Sequence, residues 1–240
     1  MAPPPFQFKR FRIEQAGAAH PVGTDGILLG AWADASGIRT ALDIGTGTGL
    51  VALMLAQRTE AAAFPVQITG VDLHQGSCLC AGKNMASSPW PERLTVVQIP
   101  VQDFSRTALA QYDLIVSNPP YFTGTVVSPD VERRLSRNIA ALSPGDLLKS
   151  VDLLLQATGR FCTIVPPAEG KRLCEWGAGM GLYCTKYVEI YTRKGKPVER
   201  LLLQFERDPY RFMRSELTIY ENGEIGSPAF RQLTGAFYLA

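Results

Sequence analysis

The sequence predicts an α/β protein built on a mainly parallel sheet, and three observations carry that prediction. Short apolar runs recur along the chain with helix-patterned stretches between them, the alternation that parallel strands and crossover helices require. The first run of the series ends in a glycine-rich turn, Asp43-Ile44-Gly45-Thr46-Gly47-Thr48-Gly49. Of the 240 residues, 46% are apolar, which is enough to fill a sizeable core and excludes a chain that is disordered throughout.

The chain opens on an expected hairpin or edge element. Phe6, Phe8, Phe11 and Ile13 are interleaved with Gln7, Lys9, Arg10 and Arg12, a strand alternation with a phase slip near Arg10. Next comes a short helix, Thr24-Asp25-Gly26-Ile27-Leu28-Leu29-Gly30-Ala31-Trp32, with Thr24 or Asp25 as N-cap and an apolar face behind it. Strand-like runs then fall at 41–44, 67–72, 94–99, 113–117 and 161–165, with helices at 50–57, 75–87 and 144–156. The last of these helices carries Ser143 as N-cap, Pro144 at its first position and Asp146 in its first turn.

A helix at 168–180 precedes two more runs, 182–191 and 200–205, joined by Arg193-Lys194-Gly195-Lys196-Pro197. So short a link makes those two strands antiparallel. The expected sheet therefore has seven strands, mainly parallel with the last antiparallel. Residues 216–220 are a candidate for one more strand, and the apolar tail 230–239 is expected to dock on the body. With no linker, repeat or low-complexity tract, residues 1–240 are expected to form one domain, in which a hairpin and helix (1–36) pack on a core (37–240).

Charge and cysteine usage narrow the function classes. A formal net charge of +2 is too mild to announce a nucleic-acid binder, so any RNA surface is a local patch. Cys78, Cys80, Cys162, Cys174 and Cys184 are odd in number and lack the paired spacing of a zinc site, which points to reduced core thiols and no metal. His20 and His74 fall in no metal or nucleophile arrangement. Met1-Ala2-Pro3-Pro4-Pro5 does not begin a signal peptide and no apolar run reaches membrane-spanning length; the expectation is a cytoplasmic protein, acting as a monomer and away from membranes.

The glycine turn sits where the first parallel strand gives way to a helix, and glycines there let backbone approach a ligand closely. A dinucleotide fingerprint would need glycine where Leu50 stands, and Asp43 would set a carboxylate near a pyrophosphate. S-adenosylmethionine has no phosphates and carries a sulfonium and an ammonium group, so an acid at Asp43 favours it. Asp72, at the end of the second run, is placed to accept both ribose hydroxyls, and Asp103, after the third, to accept from the adenine amine. Singly, such residues are tight corners and solvated strand ends. Together they stand at the carboxyl ends of successive strands, where open α/β sheets bind ligands.

Asn118-Pro119-Pro120-Tyr121 follows the fourth strand. The prolines fix the backbone and lack N–H groups, leaving the Asn118 side-chain carbonyl and the Pro119 main-chain carbonyl to face an external donor. Two such acceptors suit a primary amine attached to a planar system. Holding both N–H groups favours pyramidalisation and localises the nitrogen lone pair toward an electrophilic methyl carbon, and Tyr121 is placed to stack on the planar group. The same four residues elsewhere would be an ordinary strand-ending turn; the glycine turn upstream gives them their chemical meaning.

At these residues the chain resembles Rossmann-like class I S-adenosylmethionine-dependent methyltransferases of the amino-methylating branch. It is most similar to the bacterial tRNA1(Val) adenine-37 N6-methyltransferase family, through Val22 to Trp32, Leu42-Asp43-Ile44-Gly45, Leu53 to Arg58, Ser88-Pro89-Trp90, Asn118 to Tyr121 and Ala236-Phe237-Tyr238-Leu239. The resemblance implies methylation of an adenine N6 in tRNA, and it places Gly23, Thr24 and Asp25 over the methionine end of the cofactor. The same block also reads as a helix that packs on the sheet through Ile27, Leu28 and Trp32. Family members carry a small residue and an arginine in a polar loop after the catalytic motif. Ser136-Arg137 fits, with Arg133 one turn earlier, and these arginines either grip RNA phosphates or form a solvated face. Asn138 stands where relatives place an aromatic or histidine.

Rival readings within the fold are a protein glutamine amide methyltransferase and a ribosomal RNA guanine N2 enzyme, whose members carry an additional N-terminal domain. A rival of another class is a non-catalytic RNA-binding protein that retains the fold, against which the intact Asn-Pro-Pro-Tyr argues.

Overall fold

The computed structural model describes residues 3–108, 111–120, 142–221 and 223–239. The expected βα alternation is present. Strands β3 (Thr40–Ile44), β4 (Gln67–Asp72), β5 (Leu94–Gln98), β6 (Tyr112–Ser117), β7 (Leu155–Val165), β8 (Tyr183–Arg193), β9 (Val198–Glu206) and β10 (Met213–Tyr220) form one sheet in the order β10-β8-β9-β7-β6-β3-β4-β5. A separate antiparallel pair, β1 (Phe6–Gln7) and β2 (Arg12–Ile13), makes the N-terminal hairpin.

The expected count of seven strands needs correction, while the last of the seven, 200–205, is antiparallel as expected and falls in β9. The sheet has eight strands, and β9 alone runs against its neighbours, whereas the final strand β10 is parallel to β8. Chain geometry explains the addition. β9 ends beside the start of β8, where Glu206 pairs with Tyr183, and β10 begins at that same end, where Met213 pairs with Lys186. The segment 207–212 therefore only has to pass the end of one strand, and no crossover helix is needed.

Helices α1 (Thr24–Trp32), α2 (Leu50–Arg58), α3 (Gln75–Ala86), α4 (Val101–Thr107), α5 (Pro144–Leu154), α6 (Pro167–Gly179) and α7 (Pro228–Thr234) cover the sheet. Ser143 caps α5 as expected: its Oγ accepts from the Asp146 N–H at 3.1 Å and donates to the Asp146 carboxylate at 2.8 Å. The N-cap of α1 is Gly23, one residue before the expected Thr24 or Asp25, so the cap has no side chain to bond with, and the Asp25 carboxylate accepts from Arg200. Helix α4 was not foreseen, since its seven residues are too few to show a period.

Alternation along the strands splits the core between the two faces. Ala41, Leu114, Val116, Cys162, Ile164 and Leu202 face α1, α2, α3 and the hairpin, while Leu42, Ile115, Phe161, Leu201, Leu203 and Phe205 face α4, α5 and α6. On the first face the two ends of the chain meet. The Lys9 N–H donates to the Phe237 carbonyl at 2.8 Å, Lys9 Nζ to the Gly235 carbonyl at 2.7 Å, and the Phe8 and Phe11 rings stack at 4.7 Å. Phe8 and Phe237 are fully buried there, each stabilising the fold by about 1.5–3 kcal/mol through the area removed from water. The N-terminal extension is thus tied to the sheet through the tail, whose helix α7 also packs against α1.

Candidate active site

Strand register brings the glycine turn, Asp72 and Asn118 to one edge. Ile44 pairs with Val71 on one side and with Ser117 on the other, and Asp72 pairs with Gln98. The next residues in line are Gly45, Asp72 and Asn118, at the carboxyl ends of β3, β4 and β6. Chain order also reverses here, with β4 and β5 laid to one side of β3 and β6 and β7 to the other. This is the switch point at which such sheets open a crevice for ligands. Ser117 and Thr163 fasten the level: Ser117 Oγ donates to the Ile44 carbonyl at 2.9 Å, and Thr163 Oγ1 to the Ser117 carbonyl at 2.8 Å.

Gly45, Gly47 and Gly49 all have positive φ, at 73°, 57° and 82°, a conformation that residues with side chains rarely adopt. A Cβ at Gly45 would meet no atom within 4 Å, so the outer side of the turn is open. Acids hold the turn from below and from the side. Asp43 Oδ2 accepts from Thr46 Oγ1 at 2.8 Å and from the Ala52 N–H at 3.2 Å. Asp72 Oδ2 accepts from the Gly47 N–H at 2.9 Å and its Oδ1 from the His74 N–H at 2.8 Å. Asn84, buried in α3, adds a third tie: its amide donates at 2.9 Å to the carbonyls of Thr48 and Glu14 and accepts from the Glu14 N–H. The N-terminal extension is in this way bonded to the turn itself.

Burial pushes the Asp43 carboxyl up to about 7, against the bonds from Thr46 and Ala52 that pull it down, and the charge of Asp72 raises it further. In the unfolded chain it titrates near 4, so the folded state holds a proton there that the unfolded state has lost. Its contribution to stability is full below pH 4 and is lost as pH rises through 7. Asp43→Asn keeps an acceptor for both donors and cannot ionise. Between pH 4 and 7 the variant is expected to gain stability relative to the parent, by on the order of a few kcal/mol in denaturant titrations. Parallel curves for the two proteins across that window would contradict the buried, proton-holding Asp43.

Asn118 leaves β6 half-buried and faces the N-terminal turn of α1. A Cβ placed on Gly26 would stand 3.9 Å from Asn118 Nδ2 and 3.1 Å from Leu50, the first residue of α2. Helix α1, the glycine turn and the Asn-Pro-Pro segment therefore converge. Gly23 and Thr24 are exposed at the start of α1, and Asp25, partly buried, forms an ion pair with Arg200 of β9 at 2.8 Å. Nothing in the local sequence marks Arg200, which lies far along the chain in an apolar strand. Pro119 and Pro120 also line a small cavity of about 30 Å³ with Leu142, Pro144, Leu147, Val165, Glu169 and Leu173.

Asp103 sits apart from the other acids in kind. It is exposed in the first turn of α4 and pairs with Arg106 at 3.0 Å. Tyr121, Arg133 and Arg137 lie outside the described residues. His74 acts as a helix cap, its Nδ1 accepting from the Ser77 N–H at 3.1 Å. The five cysteines are free thiols, and the described residues hold no group of three His, Cys, Asp or Glu suited to a metal. No described helix is long and apolar enough to cross a membrane.

The basic residues divide by position. Arg10 pairs with Glu60, Arg12 with Glu14, Arg207 with Asp152, Arg211 with Asp208 and Arg214 with Glu189. Arg193, Lys194 and Lys196 are exposed in the turn between β8 and β9, at the edge of the sheet that carries Asn118.

A switch point with a glycine turn, a strand-end acid and an Asn-Pro-Pro exit from the neighbouring strand defines a class I methyltransferase, and the methyltransferase small domain model matches residues 24–151, so the chain belongs to that family. A predicted O-methyltransferase from Agrobacterium tumefaciens shares the fold with a TM-score of 0.68 at 18% identity, over 89% of this chain and 96% of that one. The sequence relatives narrow the assignment. A tRNA1(Val) (adenine(37)-N6)-methyltransferase from Pasteurella multocida is 42% identical over 235 residues, and one from Histophilus somni (strain 2336) is 41% identical over 234; each match covers 98% of this chain and 97% of the relative. The chain belongs to the tRNA1(Val) (adenine(37)-N6)-methyltransferase family.

The cofactor of the class is S-adenosylmethionine, and the residues present fit it. The open side of Gly45 leaves room for ligand against backbone. The Asp72 carboxylate, with two of its roughly four lone-pair sites in use, keeps acceptors for a ribose diol. The Asp72 carboxylate, held on the Gly47 N–H, also sets a negative group beside the turn, which favours a cationic ligand there.

Proposed function

We infer that the protein transfers the methyl group of S-adenosylmethionine to the exocyclic N6 amine of an adenine in tRNA, adenine 37 of tRNA1(Val), acting in the cytoplasm as a monomer without a metal. The observation that carries this reading is the single row formed by Gly45, Asp72 and Asn118, which sets an amine acceptor beside a cofactor turn. The relatives' names supply the amine's identity.

In this reading S-adenosylmethionine supplies an electrophilic methyl carbon. The Asn118 side-chain carbonyl and the Pro119 carbonyl accept the two N–H bonds of the adenine amine, drawing its lone pair out of conjugation and toward that carbon. Tyr121 stacks on the base, which has to leave its neighbours in the anticodon loop to reach the site. Once methylated, the nitrogen is acidic enough to lose its proton to water, so no strong base is needed. The chain's contribution would be mainly orientational: holding the amine nitrogen at an approach distance of about 3 Å from the transferable methyl would contribute several kcal/mol. Gly23, Thr24 and Asp25 would close over the methionine end, Asp103 would approach the adenine of the cofactor, and Arg133 and Arg137 would hold RNA phosphates.

Purified protein incubated with methyl-labelled cofactor and separate pools of tRNA, ribosomal RNA and protein is expected to label tRNA, with the label recovered as N6-methyladenosine after digestion. Label in protein alone would overturn the tRNA assignment.

A further inference from the structure

We propose that Arg200 is a positioning residue for methyl transfer: through its ion pair with Asp25 it fixes the start of α1 against Asn118, and so sets the orientation of the amine acceptor. The inference rests on the reading of Asn118 as that acceptor.

Arg200 reaches the site because of the one reversed strand. Leu201 of β9 pairs with Val165, the last residue of β7, so Arg200 stands one step beyond it, at the carboxyl edge of the parallel strands. Its Nε donates to Asp25 Oδ2 at 2.8 Å, and its Nη1 donates to the Glu199 carbonyl at 2.8 Å, which fixes the plane of the guanidinium. Both partners of the ion pair are about one-quarter exposed, at 26% and 25%, so the pair is screened less than a surface pair.

On the helix side, Asp25 precedes Gly26, whose Cα faces Leu50 and the Asn118 amide. Helix α1 has no side-chain cap at Gly23, and its first bond, from the Ile27 N–H to the Gly23 carbonyl, is long at 3.3 Å. The beginning of this helix is therefore weakly held by its own backbone. The Arg200 bond supplies a fixed point from across the sheet. Loss of the bond removes one tie on the exposed start of α1, ahead of the buried Ile27 and Leu28, and lets the wall beside Asn118 shift by a fraction of an ångström. A misplacement on that scale costs turnover while leaving the distant contacts at Asp72 intact.

The test uses the full chain with Arg200→Ala, Arg200→Lys, Asp25→Asn and the double variant Asp25→Asn/Arg200→Ala. Arg200→Ala is expected to lower kcat on tRNA by on the order of 10–100-fold, with cofactor affinity by calorimetry lowered by a smaller factor, since Asp72 and the glycine turn are untouched. Arg200→Lys, which keeps the charge, recovers most of that loss. The loss in the double variant is expected to be clearly smaller than the product of the two single losses, since both singles remove the Arg200–Asp25 bond. Independently of any RNA, hydrogen exchange at the Ile27 and Leu28 amides speeds up in Arg200→Ala and returns toward the parent rate in Arg200→Lys. A kcat for Arg200→Ala within twofold of the parent, or additive losses in the double variant, overturns the proposal. If the parent itself methylates no tRNA, the functional reading fails instead, and the exchange rates still report on the pair.

Discussion

Asn118→Ala is expected to leave cofactor binding intact and to reduce methyl transfer by on the order of 10²–10³-fold or more, the loss seen when one preorganised polar contact to a reacting group is removed. The variant deletes one of two acceptors for the amine, so one N–H is left without a partner and the nitrogen lone pair stays conjugated with the ring. Cofactor contacts should survive because Asn118 extends from β6, whereas the glycine turn and Asp72 extend from β3 and β4. Stability should change little, since Asn118 is half-buried and the strand end is fastened by Ser117 and Thr163. Asn118→Asp makes a sharper comparison. It retains an acceptor but adds a negative charge at the end of β6, where the neutral amide stood, and it is expected to be slower than the parent while faster than the alanine variant. Single-turnover rates, with cofactor dissociation constants measured beside them, separate these outcomes. Undiminished methylation by Asn118→Ala would place the amine elsewhere.

What the sequence shows of this site divides along a physical line. The glycine turn and Asn-Pro-Pro are local: their meaning lies in backbone conformations that glycine and proline impose on themselves, so neighbouring residues suffice to read them. The shared edge is legible for a related reason. Short apolar runs end where polar residues begin, and parallel strands joined by helices all end on the same side. Register then fixes the row of Gly45, Asp72 and Asn118.

Contacts between distant segments were not legible. Arg200 lies within an apolar strand and gives no sign that its partner is Asp25, and the bond from Asn84 to Thr48 joins a helix to a turn with no local signature. The setting of Asp103 was only half legible. That it follows a strand, as a cofactor acid would, shows in the sequence; that it stands in the first turn of a seven-residue helix and pairs with Arg106 does not, because so short a helix shows no period. The extra strand β10 escaped the strand count because its first four residues are all exposed, so the inward-outward alternation that marks a strand is missing there.

Asp72→Ala is expected to abolish measurable cofactor binding, a larger effect on affinity than any other single substitution at this edge. Two losses combine. The carboxylate is the proposed acceptor of two ribose hydroxyls, and hydrogen bonds to a charged group contribute about 1.5–3 kcal/mol each, which corresponds to roughly 10²–10⁴ in affinity for the pair. It also accepts from the backbone of Gly47 and His74, so its removal frees the middle of the turn and the entry to α3. Asp72→Asn distinguishes the two. One oxygen remains to accept from backbone, which should preserve the turn, but the amide presents a donor where the second hydroxyl needs an acceptor. Its affinity should fall between those of the parent and the alanine variant. Calorimetric titration with S-adenosylmethionine measures all three, and the denaturation midpoint shows whether the turn has loosened. If Asp72→Ala bound the cofactor as tightly as the parent, the ribose would lie away from β4, and the row along the strand ends would have to be reassigned beginning with that residue.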